Sequence, residues 1–132
     1  MNAVVIDTST WIELLARGAT PLQADALVRG LVHVPPLVAA EVLSGKLGAA
    51  RRRELEGSFL ELPWCGADEE HWFRVGRLRS SLREKGLTVS TPDAHVAQCA
   101  LDLGAELWSE DHVFRHVARH TKLRLGEPGG RA

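Results

Sequence analysis

The alternation of short apolar runs with longer helical segments constrains this chain more than any other feature of its sequence. "AVVI" (3–6), "LVHV" (31–34) and "AELWS" (105–109) are short and apolar, as buried strands are. Each run is followed by a segment with helical punctuation. Strands that alternate with helices predict βαβ units, a parallel sheet and therefore an α/β fold.

Helix signals and further strand candidates complete the outline. Helices are predicted over residues 7–18, 21–30, 35–45, 49–59, 67–86, 91–104 and 110–120. The helix at 91–104 has the clearest ends, with Thr91 as N-cap, Pro92 at the first helical position and Gly104 after the last. Residues 59–64 and 122–125 are candidate strands, and 87–90 is a strand or a connector. One domain is expected over 1–125, followed by a flexible tail at 126–132.

Composition narrows the class of protein. A length of 132 residues fits one domain, and 45% hydrophobic with 25% charged residues is typical of a soluble globular chain. A net charge of −1 means that any nucleic-acid contact must rest on a local patch. Two cysteines make no disulfide framework, and the N-terminus lacks a basic segment before a long apolar run. A cytoplasmic location is therefore expected.

Four acidic residues follow the predicted strands. Asp7 and Asp111 come after "AVVI" and "AELWS", Asp93 opens a helix after 87–90, and Glu41 lies one turn into the helix behind "LVHV". Ligands in open α/β sheets bind at the carboxyl ends of the strands. Taken singly, the three aspartates could be helix caps or first-turn acids. Glu41 is harder to explain, because its neighbours are almost wholly apolar and leave little polar face.

One divalent cation would explain all four acids together. Clustered carboxylates repel one another, and a cation removes that penalty. Ligation by oxygen atoms alone suits Mg²⁺ or Mn²⁺. Such an ion can polarise a phosphoryl oxygen and lower the pKa of a bound water. Thr8 and Ser9, beside Asp7, could donate hydroxyl groups to a phosphate or to that water, or could equally cap the helix.

The motifs "VVIDTSTWIELL", "LVAAEVLSG" and "TPDAHVAQCALDLGAELWSEDHVF", in this order, resemble the PIN-domain ribonucleases. The likeness is greatest to the VapC toxins of prokaryotic toxin–antitoxin pairs and extends over about residues 3–125. It implies a PIN-like three-layer α/β/α sandwich with a central parallel sheet of about five strands. It also implies Mg²⁺- or Mn²⁺-dependent endoribonuclease activity on RNA, a homodimer and a cognate VapB-type antitoxin.

The resemblance also assigns roles to particular residues. The acids that it implies as catalytic and metal-binding are Asp7, Glu41, Asp93 and Asp111. The hydroxyl residues that match its supporting positions are Thr8, Ser9 and Ser109. Val113 stands where many members carry a further Asp, so a second metal would be held weakly, and the number of metals stays open.

Two other functions are compatible with the sequence. Asp7 could be the covalent nucleophile of a phosphotransfer or phosphatase domain. The phosphatase pattern requires a second Asp at the position where this chain has Ser9. A receiver-type domain requires a Lys at the end of a late strand, and this chain has no suitably placed Lys. A non-catalytic PIN-like interaction module is the other alternative, and the completeness of the four acids argues against it.

Surface features leave the partners open. His112, His116 and His120 share a helix face at a spacing that can bind zinc, but a polar outer face is the preferred interpretation. Arginines at 51–53 and within 74–83 could contact RNA or form solvated faces. Trp11, Ile12 and Leu15 are expected in the core, and partial exposure would indicate an antitoxin or dimer contact. The RNA target is not specified.

Overall fold

The computed structural model describes residues 3–126, in which seven helices alternate with four short strands. The strands are β1 (Val4–Ile6), β2 (Val32–His33), β3 (Glu106–Trp108) and β4 (Arg124–Leu125). The helices are α1 (Thr8–Arg17), α2 (Pro21–Val28), α3 (Pro36–Leu43), α4 (Ala49–Leu60), α5 (Glu69–Glu84), α6 (Thr91–Leu103) and α7 (Val113–His120). Apart from Gly126, the predicted tail at 126–132 lies outside the described residues.

The sheet is parallel throughout, with strand order β2-β1-β3-β4. Its central strand β1 is buried along its whole length, as a strand covered by helices on both faces must be. The predicted α/β sandwich is therefore confirmed, with four strands where about five were expected. Beyond β2, a single parallel bridge joins Val34 to Trp64 and extends the sheet by one pair of residues.

The predicted strand at 59–64 is wrong in its first half. Phe59 and Leu60 continue α4, because Leu55 and Phe59 lie one turn apart and form its buried face. The Phe59 ring packs edge-on against Trp11, with ring centroids 5.3 Å apart. Only the bridge at Trp64 remains of the strand. Residues 87–90 are a connector, which follows the left-handed turn at Gly86, where φ is 84°.

Helix α6 passes through the core and packs against β1, β3 and α5. Every residue from Ala94 to Ala100 is buried. Ser90 is the N-cap in place of the predicted Thr91, since its side chain accepts a hydrogen bond from the backbone N–H of Asp93. The predicted stop is confirmed, because Gly104 adopts the left-handed conformation with φ 62°.

None of the helices in residues 3–126 combines the length and the apolar character needed to cross a membrane.

Candidate functional site

The register of β1 and β3 brings the first acid to the edge of the sheet. Ile6 pairs with Trp108, so the residues that follow, Asp7 and Ser109, emerge side by side. The backbone N–H of Asp7 donates to the Trp108 carbonyl at 3.3 Å. The Ser109 hydroxyl donates to the Asp7 carboxylate across 102 positions of sequence. Two parallel strands that end together therefore build this part of the site.

Asp7 is both a helix cap and a site residue. Its side chain is buried, with 6% of the residue exposed, and accepts from the backbone N–H of Thr10 at 3.0 Å as the N-cap of α1. The Ser9 hydroxyl approaches both carboxylate oxygens at 3.3 and 3.4 Å. The capping interpretation and the functional one are compatible, because a carboxylate has acceptor positions for several donors.

Glu41 lies on the exposed side of α3, away from the apolar residues that surround it in sequence. Val38, Ala39 and Val42 face the core, while Glu41 is exposed. Its carboxylate accepts from the Thr8 hydroxyl at 2.6 Å. Thr8 thus connects the first turn of α1 with α3, and Glu41 projects towards the edge where Asp7 lies.

Asp93 is the acid whose ionisation the site perturbs most clearly. Burial raises the pKa of its carboxyl, while the hydrogen bond with Ser90 lowers it. The charges of Asp111, Asp7 and Glu41 raise this pKa further. Each of the other three acids therefore acts electrostatically on Asp93, as expected for carboxylates that share one site.

Asp111 is held by the segment between β3 and α7. Its backbone N–H donates to the Ser109 hydroxyl at 3.0 Å, so one serine contacts both Asp7 and Asp111. Its carboxylate accepts from the backbone N–H of Val113 at 3.0 Å. Val113 is the first residue of α7, and its side chain offers no further acid beside Asp111.

All four acids line one cavity of about 220 Å³. The remaining residues around it are Thr8, Ser9, Ile12, Pro92 and Val96. The structure therefore brings together six of the seven predicted site residues, and the seventh, Ser109, contacts two of the acids from behind. A donor set of carboxylate and hydroxyl oxygens fits a hard divalent cation such as Mg²⁺ or Mn²⁺ and does not favour zinc.

Among residues 3–126, the group whose potential ligand atoms all lie within 4.8 Å of one another is not the four acids but His71, His95 and Cys99, which could in principle hold a metal. All three residues are buried. The ring nitrogens instead form a hydrogen-bonded chain, with His71 Nδ1 2.9 Å from Asp102 and His71 Nε2 2.8 Å from His95 Nδ1. The other nitrogen of His95 lies 3.5 Å from the backbone N–H of Leu37, at the start of α3.

One set of neutral tautomers satisfies this chain completely. Leu37 donates to His95, His95 donates to His71, and His71 donates to the Asp102 carboxylate. Arg74 and Gln98 also donate to that carboxylate. Burial, followed by the electrostatic interaction with His71, lowers the pKa of His95 to about 4, so the His95 ring is neutral at pH 7.

The cluster is better described as a structural network than as a metal site. The nitrogens of His71 and His95 are a hydrogen bond apart, closer than two ligands usually lie around tetrahedral zinc. A hydrogen bond with Cys65, followed by burial, raises the pKa of the Cys99 thiol, so it is not a ready thiolate. Sequence patterns did not indicate this network, because it joins His71 on α5 to His95 and Asp102 on α6.

The surface histidines and arginines lie on polar faces of their helices and do not form an evident binding site. His112, His116 and His120 are exposed on α7, as a polar outer face requires. Arg74 pairs with Asp102, and Arg51 pairs with Glu54 at 2.6 Å. Arg52 and Arg79 donate to backbone carbonyl groups, so four of the seven arginines on α4 and α5 have structural partners within residues 3–126. Nothing in these contacts singles out an RNA-binding strip.

Comparisons with known proteins agree with this geometry. The sequence profile of the PIN domain matches residues 4–120. No curated protein matches the chain. Among solved structures, a chain of VapBC2 from Rickettsia felis, bound to a DNA fragment from the promoter, superposes with a TM-score of 0.75 and 18% identity. The match covers 95% of this chain and 98% of that one.

Two further structures have the same fold. A chain of VapBC-1 from nontypeable Haemophilus influenzae gives a TM-score of 0.71 at 17% identity, covering 95% of this chain and 97% of that one. A chain of FitAcB from Neisseria gonorrhoeae gives 0.66 at 18% identity, with coverage of 95% and 97%. At such low identity these likenesses concern the fold.

The profile match begins at the first strand and ends with α7, so it includes all four acids and the whole sheet edge that carries them. The resemblance noted in the sequence motifs is confirmed at the level of the family. The chain belongs to the PIN domain family.

Proposed function

We propose that this protein is a Mg²⁺- or Mn²⁺-dependent endoribonuclease that acts as the toxin of a VapBC-type toxin–antitoxin pair. The observation that carries the proposal is the convergence of Asp7, Glu41, Asp93 and Asp111 on one cavity at the carboxyl edge of the sheet. Four separate segments of the chain supply these acids. Such convergence is costly without a cation. The charges of the other three acids add to the larger effect of burial in raising the pKa of Asp93.

The residues of the site have distinct tasks in this proposal. The four carboxylates would hold the cation, which when bound would polarise a phosphoryl oxygen and activate water for attack. Thr8 and Ser109 orient Glu41 and Asp7 through hydrogen bonds. The Ser9 hydroxyl is exposed at the cavity and can donate to a phosphate oxygen. Hydrolysis of the RNA phosphodiester then leaves a 5′-phosphate and a 3′-hydroxyl.

Replacement of one site aspartate by asparagine, which removes the charge and keeps the shape of the side chain, tests this proposal. Asp7→Asn and Asp93→Asn should abolish cleavage of a mixed RNA pool and growth inhibition on expression, and should weaken Mn²⁺ binding measured by calorimetry. Glu56→Gln, an exposed substitution on α4, is the matched control and should behave as the unmodified protein. Unchanged RNA cleavage in both aspartate variants would rule out the metal site.

The partner that we propose is a VapB-type antitoxin. The similar structures are named as VapBC and FitAcB, and their fold is shared by this chain. An apolar cavity of about 320 Å³ lies between α1 and the α3–α4 region, lined by Ile12, Leu15, Val42 and Leu55 among others. Ile12 is 52% exposed and also borders the acid cavity. An apolar segment of the partner would cover this surface.

Co-purification tests the partner. A short neighbouring reading frame that encodes a small DNA-binding protein should yield a protein that co-purifies with this chain and suppresses its activity. Ile12→Asp should disrupt that complex, whereas Val28→Asp, at a residue 87% exposed on α2, should not. Light scattering of the chain alone tests the proposed homodimer, for which a monomer would be the contradicting result.

A further inference from the structure

A second cavity, of about 290 Å³, lies beside the acid site and is called the flanking cavity below. It is lined by residues of α1, the α1–α2 turn, the first turn of α2 and the segment after β3, among them Thr10, Glu13, Arg17, Gln23 and Glu110. Its volume is close to the roughly 300 Å³ at which small-molecule sites begin. It is therefore large enough to be a binding site in its own right.

The flanking cavity is built against the acid site on two sides. The backbone N–H of Thr10 donates to Asp7, so Thr10 belongs to both structures. Glu110 lies between Ser109 and Asp111, which are tied to each other by a hydrogen bond of 3.0 Å. A polymer that crosses the acid cavity would thus bring a neighbouring unit to the flanking cavity.

Two polar side chains of this cavity are more than nine-tenths buried and keep unused hydrogen-bonding atoms. Gln23 is 3% exposed, and its Oε1 accepts from the backbone N–H of Thr20 at 2.9 Å, which leaves the amide Nε2 without a partner in residues 3–126. Thr10 is 7% exposed, and its hydroxyl makes no hydrogen bond within the same span.

Both unused atoms keep some access to solvent. Within the described chain, the fully enclosed side-chain polar atom that lacks a partner is Trp11 Nε1, so neither Gln23 Nε2 nor the Thr10 hydroxyl is sealed in. Gln23 and Thr10 both line the flanking cavity. A nearly buried amide and hydroxyl with spare capacity are satisfied by water or by a polar ligand that displaces it, because such groups are normally hydrogen-bonded.

The carboxylates at the rim define what the ligand must offer. Glu13 lies 3.9 Å from Arg17, whereas Glu110 has no ion pair or side-chain hydrogen bond within residues 3–126. A carboxylate accepts two parallel donors well. Gln23 contributes a donor from within the cavity. A ligand that presents two adjacent donors and a nearby acceptor would satisfy both residues.

Among the RNA bases, guanine has this arrangement on its Watson–Crick edge. Its N1–H and N2–H groups are adjacent donors, and O6 beside them is an acceptor. Adenine, cytosine and uracil each place one donor group on that edge. Proteins read single-stranded RNA through such edges, with bases turned out from the backbone.

We propose that the flanking cavity binds a guanine base of the RNA next to the cleaved phosphodiester, with Glu110 accepting from N1–H and N2–H and Gln23 donating to O6. This assignment rests on the proposed endoribonuclease activity and adds a base preference to it. Gln23 and Glu110 are then specificity-determining residues, separate from the four acids that hold the cation.

Cleavage of an RNA pool with a randomised segment, followed by sequencing of the product ends, tests the assignment. The unmodified protein should enrich guanine at one position flanking the cut, and Glu110→Gln and Gln23→Ala should each reduce that enrichment about tenfold. Glu56→Gln should leave it unchanged. Inosine, which lacks the N2 amino group, should slow the unmodified protein when placed at that position and have little effect on Glu110→Gln.

The outcomes separate this assignment from the proposed function. The guanine site is overturned if cleavage shows no guanine preference, or if both variants retain that preference. Either result is still compatible with the proposed ribonuclease activity. A pool that stays uncut contradicts the ribonuclease, and titration with 5′-GMP then decides the site alone. Binding that is weakened by Glu110→Gln and by the use of 5′-IMP supports it, and an absence of saturable binding overturns it.

Discussion

The Thr8 hydroxyl donates to the Glu41 carboxylate at 2.6 Å, joining the first turn of α1 to α3 across 33 positions of sequence. Glu41 can occupy an otherwise apolar helix because it lies on the exposed side of α3, where this contact holds its carboxylate. Val38 and Val42 pack in the core, whereas Glu41 lines the acid cavity. Its place in the fold is set by packing, and its role is set by the carboxylates that it approaches.

Glu41→Gln should therefore weaken metal binding and leave the fold intact. We expect Mn²⁺ affinity and RNA cleavage to fall by about 100-fold or more, since changes to groups that merely support a metal ligand already cost 10- to 100-fold. The melting temperature without metal should stay constant or rise, because one repelling charge is removed. Calorimetry and thermal unfolding with and without Mn²⁺ measure this. Unfolding of the variant, together with indifference to metal, would make Glu41 structural.

Protonation of Asp93 should make metal binding sensitive to acid. The pKa of its carboxyl is raised, first by burial and then by Asp111, Asp7 and Glu41, so its proton competes with a cation at higher pH than an ordinary Asp would allow. In the metal-free protein, the stability contributed by this group is present below the unfolded pKa near 3.8 and is lost as the pH rises through the folded value.

Asp93→Asn should consequently raise the metal-free free energy of unfolding at neutral pH and abolish stabilisation by Mn²⁺. Urea unfolding at several pH values, with and without the ion, measures both effects. A variant that is destabilised at neutral pH in the absence of metal would contradict the proposed repulsion.

The placement of the four acids was easier to predict from the sequence than the packing around them. The four acids could be placed because each follows a strand or a strand-like segment, and parallel strands bring their carboxyl ends to one edge. The register that pairs Ile6 with Trp108 then sets Asp7 beside Ser109. Capping residues also predicted the helix ends, although the N-cap of α6 is Ser90, one residue before the predicted Thr91.

Long-range packing accounts for what the sequence did not reveal. The chain from Leu37 through His95 and His71 to Asp102 depends on how α3, α5 and α6 meet, and no periodicity encodes that. The apolar character of residues 59–64 is compatible with a strand as well as with a helix. The helix prevails because Phe59 completes a buried face against Trp11.

The buried histidine chain should make stability fall in acid. The pKa of His95 is lowered from 6.5 to about 4, so the unfolded chain binds this proton more readily than the folded one. Its contribution is fully present above pH 6.5 and is lost as the pH falls from 6.5 through about 4. The loss should amount to at most about 3 kcal/mol.

Urea unfolding across this pH range measures that loss. His95→Gln should flatten the profile between pH 6.5 and 4, whereas His120→Gln, at an exposed position on α7, should leave it unchanged. Equal slopes for the unmodified protein and His95→Gln would assign the effect to other groups.

Ser109 should be needed for activity although it does not line the acid cavity. Its hydroxyl donates to Asp7 and accepts from the backbone N–H of Asp111, so it fixes two of the four acids. Ser109→Ala should lower Mn²⁺ affinity and RNA cleavage by about 10- to 100-fold. Ser109→Thr keeps the hydroxyl and should retain most of the activity, and Ser80→Ala, at an exposed position on α5, should match the unmodified protein. Full activity in Ser109→Ala would show that β1 and the segment after β3 position the acids without this side chain.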